Sequence, residues 1–379
     1  MKARSLLSWA FGVVLALPAS LPARADLIVA QIAPMSGPIA AADGLSTNLG
    51  IRVALDAANA RGGVHGKKLV LRTLDDEYKP DRTVELIRKE AAGDTLALLL
   101  PVGSVSMAKV LKERVLESAR LPVVGLIPGA EPLRTPMNPY LYHVRAGDLD
   151  QYRHMIEHTM TVGMKNYAVV YADIPFGKSG MAAIEALLKA RQLTPVAGIP
   201  FPLGPQIDFG SVIERLARSS ADVVLLISPP EPAGAFVREY RNAGLNPPVM
   251  TLSYGLADIL CKVAGAEKAK GVGVAQVFSN GNSPTTPLSR RFQADFKRYA
   301  PADVVSTQNH FEAYVTTQVL LEALKRAGAA PTRDKVGKAL DGMREVDLGG
   351  FTVDFAPDKH TGSRFVDISI VSNNCRLVF

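Results

Sequence analysis

The sequence predicts an α/β protein of two lobes with a cleft between them. From residue 26 onward, short apolar runs alternate with segments carrying apolar residues at helical spacing, the pattern of strands paired in parallel and covered on both faces. That alternation is interrupted by a Pro/Gly-rich loop over residues 127–139 and then restarts. The chain, at 379 residues, is too long for one ordinary core.

The first 25 residues stand apart. Lys2 and Arg4 precede an apolar run over residues 6–17, and Ala23-Arg24-Ala25 follows as a small-x-small cleavage site. This is the layout of a secretory signal peptide, too short for a spanning helix. With no cysteine beside the cut, the mature chain is expected to start near Asp26 without a lipid anchor and to be exported and soluble. Removing Lys2, Arg4 and Arg24 takes the formal charge from +7 to +4. No basic run interleaved with aromatics accompanies it, which argues against nucleic acid as a partner. Cys261 and Cys375 are free to pair in an oxidising compartment, but their spacing does not show that they meet.

The elements follow in order. A strand over residues 27–33 leads through a Pro/Gly loop to a helix with Leu45, Leu49, Val53 and Ala57 on one face, stopped by Gly62-Gly63. A strand over 69–74 ends in Asp75-Asp76-Glu77, and Pro80 opens the next helix with Val84, Ile87 and Ala91 inward. Leu96–Leu100 is an apolar run too short for a helix. It turns at Pro101 and Gly103 and continues with Met107, Val110, Leu111 and Val115 at helical spacing. Ser104 therefore stands where a strand end meets a helix N-terminus, whose free N–H groups suit an anion. Ser104 or Ser106 capping its own helix accounts for the same residues. Strands over 122–126 and 140–145 complete the first unit.

The second unit reads as helix 148–162, strand 167–171, helix 181–191, strand 196–201, helix 212–217, strand 223–227, helix 233–243 and strands 249–251 and 273–278. A polar linker over 279–287 precedes three helices, 288–299, 310–327 and 334–343, and strands at 351–355 and 365–371 close the chain.

Catalytic motifs fare poorly. Gly177-Lys178-Ser179 imitates the end of a P-loop, but Ala172 stands where its first glycine belongs. Gly271-x-Gly273 is followed by Gln276 where a dinucleotide fingerprint needs glycine. No Gly-x-Ser-x-Gly elbow occurs. His154-Met155-Ile156-Glu157-His158 matches an inverted zinc-peptidase pattern, with two imidazoles on one helix face and Glu157 as base, and stands as the hydrolase alternative. No cofactor is expected.

Several segments resemble type I periplasmic solute-binding proteins of the Leu/Ile/Val-binding kind. Pro34-Met35-Ser36-Gly37-Pro38 is similar to their opening loop. Asn59, Gly62, Gly63, Val64, Gly66, Lys67 and Leu69 match an N-x-x-G-G-V-x-G-K-x-L signature. Asp75-Asp76, Val102-Gly103-Ser104-Val105-Ser106, Tyr171 to Gly177, Asp208-Phe209 and Arg241-Asn242-Ala243-Gly244-Leu245 follow in place. The resemblance runs from about residue 27 to the C-terminus. It implies two Rossmann-like lobes with parallel central sheets, joined by three hinge crossovers: lobe 1 from 26–145 plus 280–345, lobe 2 from 146–279 plus 346–379. It also implies a non-enzymatic, monomeric protein delivering a solute to an inner-membrane ABC permease, or a sensor lobe of the same fold.

Site residues come with it. Gly103-Ser104 corresponds to the turn whose serine bonds the ligand's carboxylate, and Pro128, Gly129 and Ala130 to a loop that also holds ligand. Phe176 falls where a tyrosine often covers the ligand. Tyr254 lies in the Ser253-Tyr254-Gly255 stretch, where amino-acid binders carry an acid for the ammonium group. The ligand implied is a small carboxylate, either an amino acid in a rearranged site or a non-amino organic acid.

Overall fold

The computed structural model describes residues 25–37, 40–204 and 206–379; the signal-peptide segment lies outside them. Five strands, β1 (Leu27–Ala33), β2 (Leu69–Asp75), β3 (Leu98–Leu99), β4 (Val123–Val124) and β5 (Leu141–Tyr142), form a sheet of order β2-β1-β3-β4-β5, parallel throughout. Its central strands are buried on both faces, so alternation is lost and the runs read as continuously apolar.

The second sheet repeats this order. Strands β6 (Tyr167–Ala172), β7 (Ala197–Phe201), β8 (Val223–Ile227), β9 (Val249–Thr251) and β10 (Gly273–Gln276) run in parallel as β7-β6-β8-β9-β10. A hairpin of β11 (Val346–Asp347) and β12 (Thr352–Val353) stands apart from both sheets. The last strands, β13 (Asp367–Val371) and β14 (Leu377–Val378), extend the second sheet antiparallel beyond β10. The chain passes between the sheets after β5, after β10 and before β13, giving three crossovers.

The helix Ala41–Ala60 lies against the helix Gln308–Arg326. Of its expected face, Val53 and Ala57 are buried and Leu49 packs against the core, but Leu45 is 55% exposed, and Asp43, Thr47, Gly50, Ile51 and Ala54 are buried as well. The cause is close approach: a Cβ on Gly50 would sit 2.4 Å from the His310 carbonyl oxygen. A stripe of small residues lets the helices meet, and bulky Leu45 is turned outward.

Other expectations shift in bounds. The helix read from residue 181 begins at Pro175, whose ring suits the first turn. Gly177 packs on the end of β6, where a Cβ would lie 2.0 Å from the Ala172 carbonyl oxygen. The helix read through Val115 breaks at Arg114, which is left-handed, into Ser104–Lys112 and Val115–Ala119. The helices Ala257–Ala264 and Ala266–Ala269 and strand β14, absent from the sequence reading, cover the far end of the second sheet. There Cys261 and Cys375 form a disulfide, tying Ala257–Ala264 to the β13–β14 turn.

Candidate functional site

In each sheet the chain leaves its first strand in one direction for the second strand and in the other for the third. Such a switch point opens a crevice beyond the carboxyl ends of the strands. The loops from these ends meet across the lobes around a cavity of about 60 Å³. From the first sheet come Ala40 and Asp43 after β1, Tyr78 after β2, Val102, Gly103 and Ser104 after β3, and Ile127 and Pro128 after β4. From the second come Ile174 and Phe176 after β6, Ser228, Pro229 and Pro230 after β8, and Tyr254 after β9. A larger groove of about 700 Å³, lined by Leu203, Ile207, Glu231 and Arg238 among others, lies on the second lobe and shares only Pro229 with the cavity. The smaller one sits where the strand ends converge, and it is the candidate site.

Five of the sequence-derived residues line it: Gly103, Ser104, Pro128, Phe176 and Tyr254. Gly103 has φ +104°, a conformation that favours glycine, and this turns the chain sharply from β3 into the helix. Ser104 is the first residue of that helix, so the leading N–H groups have no acceptor within it. Among the described residues no side chain caps this terminus, and capping by Ser104 is not what the structure shows.

Gly129 and Ala130 stand behind the wall instead of in it. The Gly129 amide donates to the Tyr254 hydroxyl at 2.6 Å, and that hydroxyl donates to Asp148 Oδ1 at 2.7 Å. Tyr254 therefore presents its ring to the cavity, edge-to-face with Phe176 at 5.6 Å between centroids. Behind it, Arg145 lies 5.1 Å from the ring centroid and donates to Ser253 and, at 3.1 Å, to Glu312. Arg145 and Glu312 are both buried, joining the first crossover to the helix Gln308–Arg326. Burial pushes the Asp148 carboxyl up to about 6, against the hydrogen bond from Tyr254 and the charges of Arg145 and Arg134.

Asp75 and Asp76, at the end of β2, are occupied in bracing loops. Asp75 accepts from the Met35 amide and the Ser36 hydroxyl, fixing the loop after β1. Asp76 accepts from the Tyr78 amide and the Thr83 hydroxyl, which sets Tyr78 against Gly103.

Sequence reading missed Asp43. It is 5% exposed and lines the cavity. An aspartate in the first turn of a helix reads as a partner of the helix dipole. The available signal was its spacing with Thr47, Gly50, Ile51 and Ala54, the inward stripe. Its Oδ1 accepts from Asn309 Nδ2 at 3.0 Å, and burial pushes its carboxyl up to about 7.

The zinc alternative fails on geometry. Glu157 pairs with Arg191 at 2.7 Å, and His158 is exposed. Among the described residues no group of three His, Cys, Asp or Glu side chains could hold a metal. Lys178, of the P-loop-like stretch, pairs with Asp173 at 2.8 Å.

Comparison with known proteins agrees with this architecture. The family model described as "Periplasmic binding protein" matches residues 27–373. An extracellular ligand-binding receptor from Verminephrobacter eiseniae is 33% identical, with a TM-score of 0.87 over 93% of this chain and all of that one. A substrate-binding periplasmic protein from Ralstonia solanacearum is also 33% identical, with a TM-score of 0.86 over 92% and 98% of the two chains. The Leu/Ile/Val-binding protein BraC3 of Rhizobium johnstonii is 24% identical over 326 residues, 86% of each chain. A non-catalytic, two-lobed binding protein accounts for the switch-point cavity, and the chain belongs to the periplasmic binding protein family.

Proposed function

We propose that the mature protein is exported to the periplasm and, as a monomer, captures a small carboxylate in the inter-lobe cavity for delivery to an ABC permease in the inner membrane. The observation that carries the carboxylate is the start of the helix Ser104–Lys112 on the cavity wall: a serine hydroxyl beside N–H groups with no acceptor in the helix. The rest of the wall is largely apolar or aromatic, with Val102, Ile127, Ile174, Phe176 and Tyr254 suited to a short carbon skeleton. A cavity of about 60 Å³ is far below the roughly 300–1,000 Å³ of drug-sized pockets, which favours a small solute. Loops from both lobes form the wall, so a solute between them favours the closed arrangement.

A thermal-shift screen of the purified mature chain against amino acids, aliphatic acids and aromatic acids tests this reading. Binding to the folded state raises the midpoint by mass action. A shift confined to carboxylates is expected. Shifts by uncharged solutes such as sugars, with none by carboxylates, would overturn it.

A further inference from the structure

Among the described residues Asp43 is the one carboxyl on the cavity wall, and the fold gives it little to do. It caps nothing: the only hydrogen bond its carboxyl receives among the described residues is from Asn309, and its second oxygen has no donor there. Its surroundings are acidic. Glu231 on the helix Pro230–Asn242 and Glu312 on the helix Gln308–Arg326 both act against its ionisation. The one cation favouring it, Arg145, is engaged with Glu312. Tyr78, packed beside Gly103, makes no side-chain hydrogen bond among the described residues and feels the Asp43 charge. A buried carboxyl with an open oxygen, acidic neighbours and no cation of its own is a site for a positive group.

We infer that Asp43 is the specificity-determining residue of this cavity, receiving a protonated amine of the ligand. This rests on the carboxylate reading of Ser104 and completes it: the ligand carries an anion at one end and an ammonium within reach of Asp43. Binding of the amine ionises a carboxyl that burial had kept partly protonated, so capture near neutral pH releases a proton.

The test uses matched probes on the full mature chain: alanine, valine, leucine and phenylalanine against propionate, 3-methylbutanoate, 4-methylpentanoate and 3-phenylpropionate. Each pair shares its carboxylate and carbon skeleton and differs in the amine. At least one amino acid is expected to raise the thermal midpoint where its partner acid does not. Asp43→Asn, which keeps the shape and the contact with Asn309, is expected to weaken that amino acid about 10- to 100-fold, as for a hydrogen bond to a charged group. Calorimetry at pH 7 in phosphate and in Tris is expected to show proton release in the wild type and none in Asp43→Asn. If the deaminated acids bind the wild type as tightly as the amino acids, or if Asp43→Asn binds the amino acid unchanged, the inference is overturned and the carboxylate reading survives. If neither set binds, both fall.

Discussion

The Gly129 amide, on the first lobe, donates to the Tyr254 hydroxyl, on the second, at 2.6 Å. This bond crosses the cleft directly behind the cavity wall, and the same hydroxyl donates onward to Asp148. One side chain thus forms part of the wall with its ring and joins the lobes with its oxygen.

Tyr254→Phe separates those two roles. The ring contact with Phe176 remains, while the Gly129 amide and the Asp148 carboxyl each lose a partner in a buried place. Unfolding by denaturant is expected to show a loss of about 1–3 kcal/mol. An unchanged midpoint would mean that water or a rearranged loop replaces the hydroxyl.

Breaking the ion pair behind Tyr254 is expected to do more harm. Glu312→Gln leaves buried Arg145 without its counter-charge, a change that costs about 3–5 kcal/mol in comparable buried pairs. Thermal unfolding of the variant beside the wild type measures it.

Asp43 is expected to make the stability of the protein depend on pH. Its folded pKa of about 7 lies above the ordinary 3.8, so the fold favours the protonated form. Stability is unaffected below pH 3.8, falls as pH rises between 3.8 and 7, and is level above. The full loss is on the order of 4 kcal/mol. Asp43→Asn cannot ionise, so its stability relative to the wild type should grow across that window and level off near pH 8. His310, held down to about 4 by burial, acts on both proteins alike and cancels from the difference. A wild-type-minus-variant difference that stays flat with pH would place the Asp43 carboxyl in contact with solvent.

The disulfide gives a prediction independent of the ligand. Cys261 and Cys375 are 114 residues apart, and a bridge closing a long loop restricts the unfolded chain by about 2–4 kcal/mol. Cys261→Ser with Cys375→Ser should lower the unfolding midpoint, and reductant should lower the wild type to the same level.

Much of the fold was legible because parallel strands buried on both faces leave unbroken apolar runs, as at residues 27–33 and 223–227. The turn at Gly103-Ser104 was legible too, since strand, glycine, serine and helix follow in sequence. What escaped depended on packing between distant segments. Leu45 faces outward because Gly50 brings two helices together that lie some 260 residues apart in the chain. Asp43 faces inward for the same reason. The meeting of Gly129 with Tyr254 is set by how the two lobes close, and no local pattern records it. Cys261 and Cys375 met for a comparable reason, through strand order at the edge of the second sheet.

The carboxylate of the ligand is assigned, in the proposed function, to the helix start at Ser104. Isothermal titration of the Ser104→Ala protein, with the tightest-binding solute from the thermal-shift screen, tests that assignment most directly. Among the described residues the hydroxyl makes no hydrogen bond, so its removal should leave the fold intact. Binding is expected to be weaker by about 1.5–3 kcal/mol, with an unchanged unfolding midpoint in the absence of ligand. Unchanged affinity would rule out this role for Ser104.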